Sequence, residues 1–349
     1  SESTLEEGLI YAGSDDGLIQ VLEGDTWRKI ASFPGVPELA YVSDVETSRH
    51  VVDRVYAAFD DHKSGDFRPF LLRSDDRGAT WRSIAGDLPE RGTVYTVVED
   101  HVDEDLLFAG TEFGVFVSVD GGGKWVQLKG GIPVIAVRDL DIQRRENDLV
   151  AGTFGRGIYI LDDYSPLREI DEPSLEKGPA LYPVKRAWMY MQSFPLGLRG
   201  KSFQGDAFYT APNPPIGATL TYYLDEGLET LKKARQKQEK EREEAEDPYR
   251  YPTWEELEAE SREEDPVVVL TVRDADGNVV RRLTGPTGEG VHRVTWDLRY
   301  PTSEPTRLQP PSFDNPFADP SQGPMALPGS YSVSLAKRVR GEHHVLGDR

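Results

Sequence analysis

Four segments of this 349-residue chain align at a long, nearly regular interval. They read L-I-Y-A-G-S-D-D-G-L-I-Q-V (9–21), R-V-Y-A-A-F-D-D (54–61), L-L-F-A-G-T-E-F-G-V-F-V-S (106–118) and D-L-V-A-G-T-F-G-R-G-I-Y-I (148–160). The aligned small residues Gly13, Ala58, Gly110 and Gly152 are 45, 52 and 42 positions apart. A repeat of ~40–50 residues holding several short strands cannot bury its apolar surface alone. It must stack on its neighbours, as propeller blades do. This constrains residues 1–168 to an all-β arc of about four blades.

One blade can be read in full. An inner strand at 93–99, a second at 106–111, a third at 115–119 and a fourth at 125–128 are separated by turns rich in Gly and Asp. The hairpin between the third and fourth strands carries S-V-D-G-G-G-K-W (118–125), and the preceding repeat carries S-D-D-R-G-A-T-W (74–81). Both fit S-x-D-x-G-x-x-W, through Ser74, Asp76, Gly78 and Trp81, and through Ser118, Asp120, Gly122 and Trp125. An Asp at this place accepts hydrogen bonds from N–H groups of its own turn. The Gly supplies a positive φ. The Trp opens the next strand and packs between sheets, so both tryptophans are expected to be buried. The motif is therefore a folding device and not a catalytic one. The first repeat keeps only E-G-D-T-W (23–27), and the fourth has no such hairpin.

These motifs resemble BNR, or Asp-box, repeats, found in sialidases, some xyloglucan-cleaving glycosidases and sortilin-type propellers. T-E-F-G-V-F-V-S-V-D-G-G and A-G-T-F-G-R-G-I-Y-I-L-D-D-Y-S-P-L-R resemble large exported bacterial proteins of the sortilin type, often labelled glycosyl hydrolases. The resemblance implies more than four blades. Residues 1–8 offer no apolar strand, and 157–164 lack a fourth strand with its Trp. The arc is therefore expected to stay open and to be completed by other polypeptide, either further N-terminal blades or another copy.

The pattern changes after Y-S-P-L-R (164–168). Residues 169–200 read as a linker, and 201–349 as a β-sandwich with strands at 202–209, 217–224, 266–273, 278–284, 290–298 and 330–338. D-A-D-G-N (274–278) forms a hairpin turn between two of them. The runs V-V-V-L-T-V-R-D-A-D-G-N-V-V-R-R-L, G-V-H-R-V-T-W-D-L and L-P-G-S-Y-S-V-S-L resemble the Ig-like domain of flagellar hook-capping proteins. A charged insertion at 225–264 reads as a helical hairpin. Residues 225–247 hold pairs such as Glu229–Lys233 and Lys240–Glu244, and T-W-E-E (253–256) is a capping box. The hairpin reads as a solvated spur or, on its short apolar stripe of Leu228, Leu231 and Ala234, as a docking arm. Residues 301–327 form a Pro-rich surface loop.

Composition removes several functions. The net charge is −21, which argues against nucleic acid and anionic membrane surfaces. No apolar run reaches the ~18 residues a membrane-spanning helix needs. The chain has no Cys, hence no disulfide, no thiol chemistry and no Cys-type zinc site. No phosphate loop, nucleophile elbow or H-E-x-x-H motif occurs. No cofactor is expected and no metal site is assigned. Asp60, Asp61, His62 and Asp66 form an acidic loop, and His343-His344 a solvated pair.

Blade topology gathers the turns between second and third strands with the blade-to-blade connections on one face, where propeller ligands usually sit. That face holds Asp15, Asp16, Glu112, Phe113, Phe154 and Arg156 from the turns. Glu38, Arg91, Tyr95 and Arg138 come from the connections, and the second repeat enlarges its turn to D-D-H-K-S-G-D-F-R (60–68). Carboxylates, arginines and aromatics together suit a glycan or protein ligand. The expected function is an exported, periplasmic or cell-surface binding or scaffold protein. The alternative is a glycoside hydrolase of sialidase or xyloglucanase kind, which needs two carboxylates ~5–10 Å apart. Asp16 and Glu112 are the candidates for that pair.

Overall fold

The computed structural model describes residues 1–190, 211–248, 250–305 and 321–349. The chain divides into two compact units, Ser1–Asp171 and Glu172–Arg349. The expected strand at 202–209 and most of the Pro-rich loop lie outside the described residues.

The first unit is a succession of antiparallel meanders. The first blade is β1 (Ile10–Gly13), β2 (Ile19–Glu23) and β3 (Thr26–Ile30). The second is β4 (Tyr41–Thr47), β5 (Val55–Asp61), β6 (Asp66–Ser74) and β7 (Arg82–Ser83), and the third β8 (Val94–Glu99), β9 (Leu107–Thr111), β10 (Gly114–Ser118) and β11 (Val126–Gln127). The fourth has three strands, β12 (Val137–Gln143), β13 (Asp148–Thr153) and β14 (Ile158–Leu161). The blade read in full from the sequence thus lies within a residue of its observed strands. The chain is all-β apart from a few helices.

Period-two alternation decides which neighbour each side chain meets. Tyr11, Ile19 and Val21 of blade one pack on Val42, Ala57, Phe59 and Leu72 of blade two. Tyr56, Ala58 and Leu71 of blade two pack on Val97, Ala109 and Phe116 of blade three. Phe108, Val115 and Val117 of blade three pack on Val137, Ala151 and Tyr164 of blade four and the residues after it. Each such apolar side chain contributes ~1.5–3 kcal/mol when removed from water, and the stacking of blades supplies that burial.

Residues 1–8 form no strand of their own, but the first of them pair with β1 through the backbone. Ser1 exchanges both backbone hydrogen bonds with Tyr11, at 2.9 and 2.8 Å, and Glu2 bridges Ile10. Residues 1–3 thus lie along β1 as the end of an inner strand does. Ser3 also accepts the N–H groups of Leu5 and Glu6, as Ser48 accepts those of His50 and Val51 in the second blade. Pattern reading does not find this pairing, because it uses backbone and not apolar side chains.

The second unit packs two antiparallel sheets on one core. The stretch read as a linker contributes a helical turn α1 (Glu172–Leu175) and strand β15 (Ala180–Leu181). One sheet has the order β15-β16-β19, with β16 (Ala218–Leu224) and β19 (Gly290–Trp296). The other has the order β18-β17-β20-β21, with β17 (Val267–Arg273), β18 (Val279–Gly285), β20 (Ser332–Val339) and β21 (Glu342–Asp348). Leu220, Tyr222 and Trp296 from the first sheet meet Val268, Leu270, Val272 and Leu335 from the second. Strand β21 was not anticipated; His343 and His344 stand exposed on it. The Asp274 turn forms as expected: its carboxylate accepts the N–H groups of Asp276 and Asn278, and Gly277 has φ 83°.

Helices α2 (Leu231–Glu244) and α3 (Trp254–Arg262) form the expected hairpin, within narrower limits than 225–264. Thr230 caps α2 and Thr253 closes a capping box with Glu256 on α3. Glu229 therefore precedes its cap, and the expected Glu229–Lys233 helical pair does not fall within the helix. Leu228 instead packs against the sandwich core. Arg235 joins the two helices through Glu260, at 2.6 and 3.0 Å.

Candidate ligand-binding face

The two Ser-x-Asp-x-Gly-x-x-Trp hairpins close on themselves through side-chain bonds. Ser74 Oγ donates to Asp76 at 2.7 Å and accepts the Gly78 N–H at 2.8 Å; the Thr80 N–H and hydroxyl close on the same carboxylate at 2.7 and 2.6 Å. Ser118, Asp120 and Gly122 repeat this, with the N–H groups of Gly123 and Lys124 on Asp120 at 2.9 Å. Gly78 and Gly122 have φ 81° and 96°. The bond from the Thr80 hydroxyl is the main force holding Asp76 below the usual carboxylate range. Burial works to raise Asp120, but the hydrogen bonds from Lys124, Ser118 and Gly123 bring it below that range. Trp81 and Trp125 are 9% and 5% exposed, and each packs on the preceding blade. Trp27, at the matching place in blade one, is 50% exposed, because no blade covers that side of it.

Backbone bonds tie the second–third turns of blades three and four to the residues before their own inner strands, and that of blade one to β4 of blade two. Glu112 N donates to Thr93 O at 3.0 Å, Phe154 N to Ala136 O at 2.9 Å and Val42 N to Ser14 O at 3.2 Å. Among the residues singled out in the sequence, side-chain contacts join Tyr95, Arg138 and Phe154 across blades three and four. The Arg138 guanidinium lies 3.8 Å from the Tyr95 ring centroid and 5.5 Å from that of Phe154. Arg91 lies 5.0 Å from the Phe67 ring, and Phe113 and Phe154 are exposed. Such stacking is worth ~0.5–2 kcal/mol and leaves the guanidinium edge free to donate. The Tyr95 hydroxyl titrates above its ordinary value: burial is the main cause, Arg138 opposes it, and the charges of Glu112 and Asp60 add to it.

Among the described residues, Arg91, Arg138 and Arg156 have no carboxylate within ion-pair distance. Arg54, Arg73, Arg77 and Arg168, away from this face, are all paired. Phe67 was not singled out from the sequence; the only signal was an aromatic followed by Arg at the end of an enlarged turn.

The remaining candidates have local roles. Asp16 accepts the Ser14 hydroxyl, and Ser14 Oγ accepts the Leu18 N–H at 3.1 Å. This is the same Ser-x-Asp turn device as in the 74–81 and 118–125 hairpins. Asp15 and Glu38 are exposed. In the acidic loop, Asp60 accepts from the His62 backbone N–H and is paired with its ring, while Asp66 is forked by Arg68. Among the described residues no group of three or more His, Asp or Glu is arranged to hold a metal ion. In the second unit, a cleft of about 880 Å³ lies along the hairpin, lined by Leu231, Ala234, Arg235, Glu260 and Arg340.

Fold and face together define an all-β protein of blade-like sheets followed by a two-sheet sandwich. No family model matches the sequence, and no curated protein matches it. Among solved structures, the GH74 enzyme of Niastella koreensis is similar over 46% of this chain and 27% of its own, at 17% identity and a TM-score of 0.38. YCF48 bound to D1 peptide is similar over 46% of this chain and 49% of its own, at 13% identity and a TM-score of 0.36. The extracellular domain of BT4673 from B. thetaiotaomicron is similar over 46% and 20%, at 16% identity and a TM-score of 0.35. The chain thus spans less than half the length of each. Likenesses this weak are a matter of architecture and assign no activity. Among the described residues no helix is long and apolar enough to cross a membrane.

Proposed function

We propose that this chain is a binding or scaffold protein of the cell exterior or envelope that holds a glycan or protein ligand on the face built around Tyr95 and Arg138. One observation carries the reading. In a chain of net charge −21, Arg138 is held by aromatic rings and by no acidic partner among the described residues. Its donor edge is thereby left for a ligand, with Arg91 and Arg156 on the same face. Carboxylate groups on the ligand fit these donors, and Phe113 and Phe154 fit its apolar or planar surface. The Asp-box hairpins and the Ig-like reading of the second unit accord with an exported, appended module.

The test is binding to arrayed acidic and neutral glycans and to acidic peptides. Binding by the wild type that Arg138→Ala removes, with unchanged thermal unfolding, supports the reading. Binding that Arg138→Ala leaves intact overturns this placement of the site. The hydrolase alternative rests on Glu112 and Asp16. Release of reducing sugar that disappears in Glu112→Gln would establish it and displace the binding reading.

A further inference from the structure

The inner strands of blades two, three and four each carry one extra residue at the same register. The pairing of β4 with β5 steps from Val42↔Phe59 to Asp44↔Ala58, that of β8 with β9 from Val94↔Thr111 to Thr96↔Gly110, and that of β12 with β13 from Val137↔Thr153 to Asp139↔Gly152. The residues left over are Ser43, Tyr95 and Arg138. Each bulge falls beside the small residue of the sequence repeat, Ala58, Gly110 or Gly152. Space is short there: a Cβ on Gly110 would lie 2.9 Å from the Val137 carbonyl oxygen, where the next inner strand begins. A bulge interrupts the ladder and re-aims the side chain it carries.

The three bulge residues form a continuous row. Ser43 Oγ donates to the Val94 carbonyl at 3.1 Å, directly before Tyr95. The Arg138 guanidinium lies over the Tyr95 ring at 3.8 Å. Tyr95 is 5% exposed, so it supports Arg138 and sets the spacing of the row. The two ends differ in hydrogen-bonding capacity. Half-buried Ser43 spends its one proton on Val94 and keeps oxygen lone pairs to accept a bond. Exposed Arg138 can only donate. Phe154, 69% exposed and 5.5 Å from the guanidinium, adds a flat apolar surface.

We infer that this row binds a hexuronate residue of a glycan, with Arg138 on its carboxylate and Ser43 accepting one of its hydroxyls, so that Ser43 is a further binding residue. The inference rests on the reading of Arg138 as a ligand-binding residue and narrows that reading to one ligand class. A uronate ring holds a carboxylate and hydroxyl donors in one rigid frame, with a C–H surface for Phe154. An acidic peptide carries its carboxylate on a flexible side chain away from its N–H donors, and ordering the two together costs more.

The experiment is titration calorimetry of the full chain against galacturonate oligomers, the same oligomers O-methylated on their hydroxyls, neutral glucan oligomers and glutamate peptides, with Arg138→Ala, Ser43→Ala and Ser43→Thr. The expected result is tight binding of the galacturonate oligomers alone, lost in Arg138→Ala. Ser43→Ala should weaken it about fivefold, the worth of one hydrogen bond, and Ser43→Thr, which keeps the hydroxyl, should restore it. O-methylation should weaken wild-type binding by a similar factor, a readout that needs no variant to fold. Loss in Arg138→Ala with no effect of Ser43→Ala or of O-methylation would overturn the inference and leave the reading of Arg138 standing. Glutamate peptides or neutral oligomers bound as tightly as galacturonate would overturn the ligand class. A wild type that binds none of them, or binds independently of Arg138, would overturn both.

Discussion

Arg168 forks onto Asp100 across 68 positions of sequence, Nε to Oδ2 at 2.8 Å and Nη2 to Oδ1 at 2.9 Å. Asp100 ends the inner-strand region of blade three, and Arg168 follows blade four. The Tyr164 hydroxyl adds a third bond at 2.5 Å, and the Val102 and Asp103 N–H groups complete the shell. One buried carboxylate therefore ties two blades together.

Acid should loosen this tie. Burial works to raise the Asp100 pKa, but Arg168, Tyr164 and the Asp103 N–H outweigh it and hold it at about 2. An unfolded Asp titrates near ~3.9. The depressed folded value means the stabilisation is fully present above about pH 4 and is lost as pH falls towards 2, by about 2 kcal/mol. Urea unfolding at pH 7 and at low pH should show this loss in the wild type and not in Asp100→Asn. Arg168→Ala should cost about 3–5 kcal/mol at pH 7, because it leaves the buried carboxylate uncompensated.

Glu46 behaves in the opposite sense. Burial first, and the charge of Asp44 second, push its pKa up to about 7. The folded state then holds a proton that the unfolded chain, titrating near ~4.3, has released. Stability should fall as pH rises from about 4 to 7. Glu46→Gln should equal the wild type near pH 4 and exceed it by about 3–4 kcal/mol at pH 8, read from denaturant midpoints.

The 118–125 hairpin should tolerate loss of its serine better than loss of its glycine. Ser118→Ala removes the acceptor of the Gly122 N–H and one donor to Asp120, a cost of about 1–3 kcal/mol. Gly122→Ala puts a methyl group 2.7 Å from Ile84 Cβ and 2.9 Å from its carbonyl, at φ 96°. That strain comes from both backbone and packing, so Gly122→Ala should show the lower melting temperature of the two.

Helix α3 depends on its cap. Thr253 Oγ1 accepts the Glu256 N–H at 3.2 Å, and Glu256 accepts the Thr253 N–H at 2.8 Å. No residue of this helix is buried. Thr253→Ala should therefore speed amide exchange throughout α3, with a local loss of about 1 kcal/mol, and leave exchange in β17 and β20 unchanged.

What the sequence determined by itself was local and repeated. The four aligned segments, the Ser-x-Asp-x-Gly-x-x-Trp spacing and alternating apolar residues set the strands, hairpins and stacking of blades. Each of these is fixed by turn chemistry and side-chain period within a few residues. The same topology led to the expectation that Arg91, Tyr95, Glu112, Arg138 and Phe154 share one face, and the structure stacks Arg138 on Tyr95 and Phe154. Tertiary structure alone decided the rest. Strand β21 and the Ser1–Ser3 pairing rest on backbone hydrogen bonds to distant strands, which leave no apolar pattern. Whether Asp16 holds a turn or faces a ligand depends on where one hydroxyl points. The pairing of Arg168 with Asp100, and the absence of an acidic partner for Arg138 among the described residues, follow from which charges meet across blades. That meeting is set by packing between segments tens of residues apart, where sequence distance carries no information about spatial distance.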